Sequence, residues 1–544
     1  MKIQVLLLLS LSALLRAQFA ETPVNREASV SNVPFERILG ADKEPQNWLT
    51  YSGSTLSQRH SALNQITPAN AKDLVLKWVF QARSLEKHEV TPLVVDGVMY
   101  TVQFNDVVAL DAATGKTIWT YLYKPDPTAH NCCGQETRGL AILGDKIFLA
   151  ALDTNVIAIN AKTGKEIWKT QAADPKQRYS MTHAPLVIKD KVLAGVSGGE
   201  FGIRGFVAAF DANTGKEAWR FNTIPGPGEP GHETWSGDSW IHGGGPIWAT
   251  GSYDPETNLT FWGTGNAGPD WDGAARKGDN LYTSSVIALD ADTGKLKWHY
   301  QFSPHNEFDW DATQIPVLAD IPFKGRTRKV MLWANRNGMF YVLDRANGDF
   351  LLGKPFVKVN WASGFDEKGR PIRVPGIEPT KEGTLVYPGN QGGTNWYSPS
   401  FSPHTGLFYV PTWENSSTTY VKGEQPPEFH SDATFTGLFP KAGATTDDVY
   451  SAIRAIDPET GEKKWEYRLS APNTEAGVLT TGSDLLFSGG RDGAFYALDA
   501  RDGKPVWETN LGRSVSAGPM TYMVGGKQYV SIQVGSALFT FGLR

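Results

Sequence analysis

The chain has 544 residues, with 56 Gly, 33 Pro and 11% aromatic side chains, a mix that suits many short strands and turns better than a helical protein. Its formal net charge of −5 offers no bulk attraction for nucleic acid. The two cysteines, Cys132 and Cys133, are adjacent, and no CxxCH is present to carry a covalent c-type haem.

The first residues, MKIQVLLLLSLSALLRAQFA, put one Lys before an apolar run at 5–15 and small residues after it. This is the pattern of a secretory signal peptide, with cleavage expected near Ala17 or Ala20. The competing reading is a buried or amphipathic N-terminal segment. The run is too short to span a bilayer, and no other stretch has about 18 uninterrupted apolar residues. Residues 1–20 are therefore expected to be a signal peptide and 21–544 one exported domain that does not span the membrane.

One pattern then recurs, Ala-x-Asp/Asn-x-x-Thr-Gly-Lys-x-x-Trp. It appears as ALDAATGKTIW at 109–119, AINAKTGKEIW at 158–168, AFDANTGKEAW at 209–219, ALDADTGKLKW at 288–298, AIDPETGEKKW at 455–465 and ALDARDGKPVW at 497–507. A degenerate copy at 342–352, VLDRANGDFLL, lacks the Trp. Intervals of 49, 51 and 42 residues between successive Trp match a four-stranded propeller blade. Asp-x-x-Thr-Gly is turn chemistry, with Asp bonding local backbone and Gly taking positive φ. The next strand carries the Trp inward. A second hairpin precedes each copy, such as 93–102 with its own Asp-Gly turn. The interval 219–298 holds a strand pair near 260–265, and 353–450 holds at least one further blade around 398–412. The fold expected is all-β, an eight-bladed β-propeller with tryptophan-docking-type repeats, in which ring closure buries sheet faces and shortens edges.

Several stretches carry chemistry. In His130-Asn131-Cys132-Cys133-Gly134 the pair is either a strained vicinal disulfide or two buried thiols. Arg138 follows, with a planar fork suited to a carboxylate. Thr182 precedes Ser197-Gly198-Gly199-Glu200, where two glycines let backbone approach a flat ligand and an acid follows at a strand end. Trp248 is either a blade-core ring or a platform for a flat cofactor. Asn266 ends Gly-Thr-Gly-Asn, and Phe308-Asp309-Trp310-Asp311 sets two acids among rings.

Together these motifs resemble the quinoprotein alcohol dehydrogenases of the methanol and ethanol dehydrogenase type, which use pyrroloquinoline quinone (PQQ). The resemblance runs from Asn47 to the C-terminus. It implies a Cys132–Cys133 disulfide against one face of the quinone and Trp248 on the other. It makes Glu89, Arg138, Thr182, Ser197, Gly198, Gly199, Arg336, Asn395 and Trp396 further cofactor contacts. It makes Glu200, Asn266, Asp309 and Asp311 metal ligands, with Asp309 also the base that takes the alcohol proton. Lanthanide-dependent members carry an acid where Asp311 stands. Three carboxylates suit a hard trivalent cation better than Ca²⁺, the alternative metal. Many relatives have Ala at position 199 and a hydroxyl residue at 246, here Gly and Pro. Glu475 stands where methanol dehydrogenases have a Trp, which puts methanol in doubt as the preferred substrate. The expected partners are a small alcohol and a soluble cytochrome c, in the periplasm, with a homodimer admitted. A non-catalytic propeller scaffold and a PQQ sugar or polyol dehydrogenase are the competing functions.

Overall fold

A computed structural model describes residues 26–129, 133–423, 427–437, 440–443 and 445–544. The signal-like segment with Ala17 and Ala20, and Cys132, lie outside the described residues.

Among the described residues, eight sheets have four or five strands each, and two smaller sheets accompany them. In the first, Leu93–Val95, Val98–Gln103, Asp106–Asp111 and Thr117–Tyr121 lie side by side in chain order, each antiparallel to the last. Asp96 and Gly97 turn the first hairpin at φ +51 and +83, the left-handed pair that a two-residue Asp-Gly turn requires. The same order recurs six times. The eighth sheet departs from it. Its outer strand, Leu74–Gln81, comes from near the start of the chain and pairs with Ala537–Leu543.

The repeat explains how neighbouring sheets adhere. Asp111 Oδ1 accepts from the backbone of Ala113 and Thr114 and from the Thr114 hydroxyl, and Gly115 closes the turn at φ +71. Asp211 and Asp290 bond in the same way. The Trp does not simply fill its own sheet. It lies over the Thr-Gly turn of the next one and donates to a carbonyl there. Trp119 bonds Ala161 O at 3.1 Å, Trp168 bonds Ala212 O at 3.1 Å and Trp219 bonds Ala291 O at 3.2 Å. Trp78 of the eighth sheet makes the same bond, 3.2 Å, to Ala112 O of the first. In the degenerate copy Leu352 takes the Trp position, against Gly461. The apolar clusters accordingly lie between sheets. One joins Trp78 and Tyr522 of the eighth sheet to Phe487 of the seventh and Val108 of the first.

One expectation is corrected. The strands at Ser400–Ser402 and Leu407–Glu414 are not an extra blade. They are the inner strands of the sheet whose outer strands, Tyr450–Ile456 and Lys463–Arg468, carry the repeat at 455–465. The long interval arises because the chain makes an excursion at 356–399 before the first of these strands and leaves the sheet again at 415–449, between its second and third strands. It forms a small three-stranded sheet there with Thr384–Val386.

This topology fixes where the chemistry lies. In an antiparallel sheet, the segment entering the first strand and the segment leaving the second emerge at the same end. Glu89, Arg138, Thr182, Trp248, Asp309, Asp311, Asn395, Trp396 and Glu475 precede first strands, while Ser197–Glu200, Asn266 and Arg336 follow second strands.

Candidate functional site

These segments surround one cavity of about 270 Å³. Its walls include Glu89, Cys133, Arg138, Thr182, Ser197, Gly198, Glu200, Trp248, Asp309, Asp311, Arg336, Asn395, Trp396 and Glu475, supplied by seven of the eight sheets. Most of the residues singled out in the sequence therefore converge. Gly199 and Asn266 stand just behind the wall, where a Cβ on Gly199 would meet Asn266 Oδ1 at 2.7 Å. Cys132 lies outside the described residues.

In Phe308-Asp309-Trp310-Asp311 the two rings and the two acids take opposite sides of the chain. Phe308 and Trp310 are buried in a cluster with Trp361 and Tyr420, and the Trp310 indole donates to Gly389 O at 3.0 Å. Asp309 and Asp311 turn to the cavity. Asp309 sits at φ +59, in the left-handed region that Asp and Asn enter more readily than other residues with a side chain.

Arg336 holds both acids, with Nη2 3.1 Å from Asp309 Oδ2 and Nη1 3.6 Å from Asp311 Oδ2. Asp311 also accepts from the Trp248 indole at 2.6 Å and from the Asn266 backbone at 2.6 Å. Burial pushes Asp309 well above the usual carboxylate range, with Arg336 opposing and Asp311 adding to the rise. Burial, then the charge of Asp311, lifts Glu200 to about 7. A cation here would relieve both effects.

At the other end of the cavity Glu89 pairs with Arg138 at 2.6 Å and with Lys87 at 2.8 Å. The Arg138 guanidinium lies over two indoles, 5.0 Å from the Trp248 ring and 4.5 Å from the Trp396 ring. Flat groups are therefore accommodated against these rings. Thr182 Oγ1 is 3.0 Å from Ser197 Oγ and donates to Trp248 O, which ties the wall beneath the indole. Gly198, at φ +119, has its Cα hydrogens facing Arg178 O where a Cβ would approach to 2.5 Å.

The donor set fits a hard cation beside a flat, acidic cofactor. Asn266 Oδ1 is fully buried and has no hydrogen-bond partner. Asp311, which accepts from the Asn266 backbone, and the cavity-lining Glu200 and Asp309 offer carboxylates, the ligand type that calcium and its trivalent analogues take. Among the described residues no group of three or more His, Cys, Asp or Glu side chains is gathered closely enough to hold a metal ion. The bonds of Asp311 to Trp248, Asn266 and Arg336 already engage its oxygens.

Sequence reading missed Lys87, Glu136, Ser180, Gln391 and Tyr397, all in the cavity wall. A period of two would have found three of them. Lys87 and Glu89, Glu136 and Arg138, and Ser180 and Thr182 are each two apart on extended segments, and so share a face. Burial and the nearby Glu89 lift Glu136 to about 7. Asp270 was also missed, because Gly-Pro-Asp reads as a turn.

The family model for the PQQ glucose/ethanol/alcohol dehydrogenase β-propeller domain matches residues 48–360 and 468–530. Quinohemoprotein alcohol dehydrogenase ADH IIB of Pseudomonas putida is 39% identical over 530 residues, covering 93% of this chain and 76% of its own. A lanthanide-dependent methanol dehydrogenase of Methylacidiphilum fumariolicum is 37% identical over 540 residues, covering 92% and 86%. A solved europium-containing methanol dehydrogenase superposes with a TM-score of 0.87 at 34% identity, over 93% of this chain and 100% of that one. With this convergence of residues, the chain belongs to the PQQ-dependent alcohol dehydrogenase family of β-propellers.

Proposed function

We propose that the chain oxidises primary alcohols to aldehydes in the periplasm, using PQQ and a lanthanide ion, and passes electrons to a soluble cytochrome c. The observation that carries this reading is the unpartnered, buried Asn266 Oδ1 just behind a wall that holds Glu200, Asp309, Asp311, Trp248 and Arg138. Its setting is one domain from residue 21 onward. There the eight sheets are the blades of a closed ring, sealed where Leu74–Gln81 joins Ala537–Leu543, with the cavity near the axis.

Glu200, Asn266, Asp309 and Asp311 would hold the ion, and Trp248, Arg138, Glu89, Thr182, Ser197, Arg336, Asn395 and Trp396 the quinone. A Cys132–Cys133 disulfide would cover the other face. When bound, the quinone would supply the acceptor for the alcohol's hydride equivalent, and the ion would supply a Lewis acid. Asp309 takes the hydroxyl proton at its carboxylate, and Arg336 fixes that carboxylate in place. Trp248 orients Asp311 through its indole N–H. Glu475, held by Lys87 at 3.2 Å and Ser516 at 3.0 Å, lies at the wall and leaves room for alcohols larger than methanol.

Reconstitution with PQQ and La³⁺ or Ca²⁺, followed by dye-linked oxidation of ethanol and longer alcohols, tests the reading. La³⁺-dependent turnover is expected. Equal turnover with Ca²⁺ overturns the lanthanide assignment, and failure to take up the quinone overturns the enzyme assignment.

A further inference from the structure

Four residues beyond Asn266, Asp270 is 1% exposed, and neither of its carboxylate oxygens has a hydrogen-bond partner. No ion pair reaches it among the described residues. The nearby Arg276, fully buried, bonds the carbonyls of Pro269, Asp270 and Asn306 and the side chain of Asn280. Those bonds clamp the main chain of the loop and leave the Asp270 carboxylate unmatched. The charges that bear on it most are Asp309, Asp311 and Glu200, ahead of the opposing Arg276. Arg336, the cation among these acids, forms its ion pairs with Asp309 and Asp311. An unpartnered buried carboxylate is strongly unfavourable. The unpartnered Asn266 Oδ1 independently marks a place for a cation on the same connection.

We propose that Asp270 adds the charge of a fourth carboxylate to the surroundings of the cation site and biases that site toward a trivalent ion, an inference that rests on the metal-bearing reading above. Attraction scales with the product of the charges, so an added carboxylate favours a trivalent ion over a divalent one. Its role is positioning of the ion, not catalysis.

The test uses the full-length protein, freed of metal with chelator and without quinone. Tb³⁺ is the probe, read by luminescence sensitised by indoles at the site, and Ca²⁺ affinity is read by competition. Asp270→Asn is expected to weaken Tb³⁺ about tenfold and Ca²⁺ less, so that the preference falls. Asp270→Glu, which keeps the charge, is expected to hold the preference, and Asp270→Ser replaces the Asn variant should that one misfold. Metal-free Asp270→Asn is expected to melt no lower than the parent. An unchanged Tb³⁺/Ca²⁺ preference in the neutral variants overturns the role of Asp270 alone. Absence of Tb³⁺ binding in the parent overturns the metal site itself.

Discussion

Gly199→Ala isolates the geometry of the metal wall. The new Cβ would lie 2.7 Å from Asn266 Oδ1 and 2.9 Å from Pro246 Cγ and Cδ, where ordinary contact begins at 3.4 Å. Something must give by about 0.7 Å. Pro246 is a rigid ring whose carbonyl accepts from Gly265. Asn266 is tethered by its backbone N–H to Asp311 and by its amide to Ala267 O at 3.3 Å. The softest response is rotation of the Asn266 side chain, which removes the oxygen from the ion. Overpacking of this size costs about 1–3 kcal/mol, or roughly 5- to 150-fold if it falls wholly on ion affinity. Tb³⁺ titration of the metal-free protein reads the affinity and a thermal melt reads the remainder. Pro246→Ala added to Gly199→Ala removes the ring contact but not the Asn266 contact, so it should recover stability and not affinity. A Gly199→Ala protein with unchanged melting and unchanged ion affinity would refute the placement of Asn266.

Three further outcomes are expected. Asp309→Asn should lower dye-linked turnover by about 10²- to 10⁴-fold, with quinone uptake retained in the absorption spectrum. Gly164→Ala sets a Cβ 2.7 Å from the fully buried Trp119 at φ +69, and should cost about 2–4 kcal/mol in denaturant unfolding. Glu136→Gln should stabilise with rising pH. Because the folded Glu136 titrates near 7, above its ordinary 4.5, its burden is absent below pH 4.5, grows from there to pH 7 and is constant above. After discounting for solvent screening, denaturation at pH 8 should show a gain of about 1–2 kcal/mol that vanishes near pH 4.

Much of this was legible in the sequence because it is written in local chemistry. Asp-x-x-Thr-Gly predicts its own turn, and the turns appear with Asp111, Asp211 and Asp290 as acceptors. The destination of the Trp was not legible, since docking onto Gly164 or Gly215 crosses between sheets some 45 residues apart. Insertions hid register in the same way, and so 398–412 read as a separate unit. At the site, the residues with a distinctive motif were found. Lys87 and Glu136 were not, because a charged residue on an extended segment looks like any solvated one until a cavity opens beside it. Asp270 was invisible for a different reason. Its significance lies in lacking partners, and absence of a partner leaves no trace in sequence.

The pairing of Leu74 with Leu543 has a bearing on the order of events during synthesis. The outer strand of the last sheet is made first and waits 469 residues for its neighbour. At ribosomal speeds that interval is roughly half a minute to a minute and a half. Throughout it an unmatched strand edge stays open, the state most prone to pair with another chain. The same arrangement makes the two extremities of the polypeptide report on each other. Trimming the 537–543 strand would unseat Leu74–Gln81, and with it Trp78 from the turn at Gly115. Damage at one end would therefore be felt first at the other.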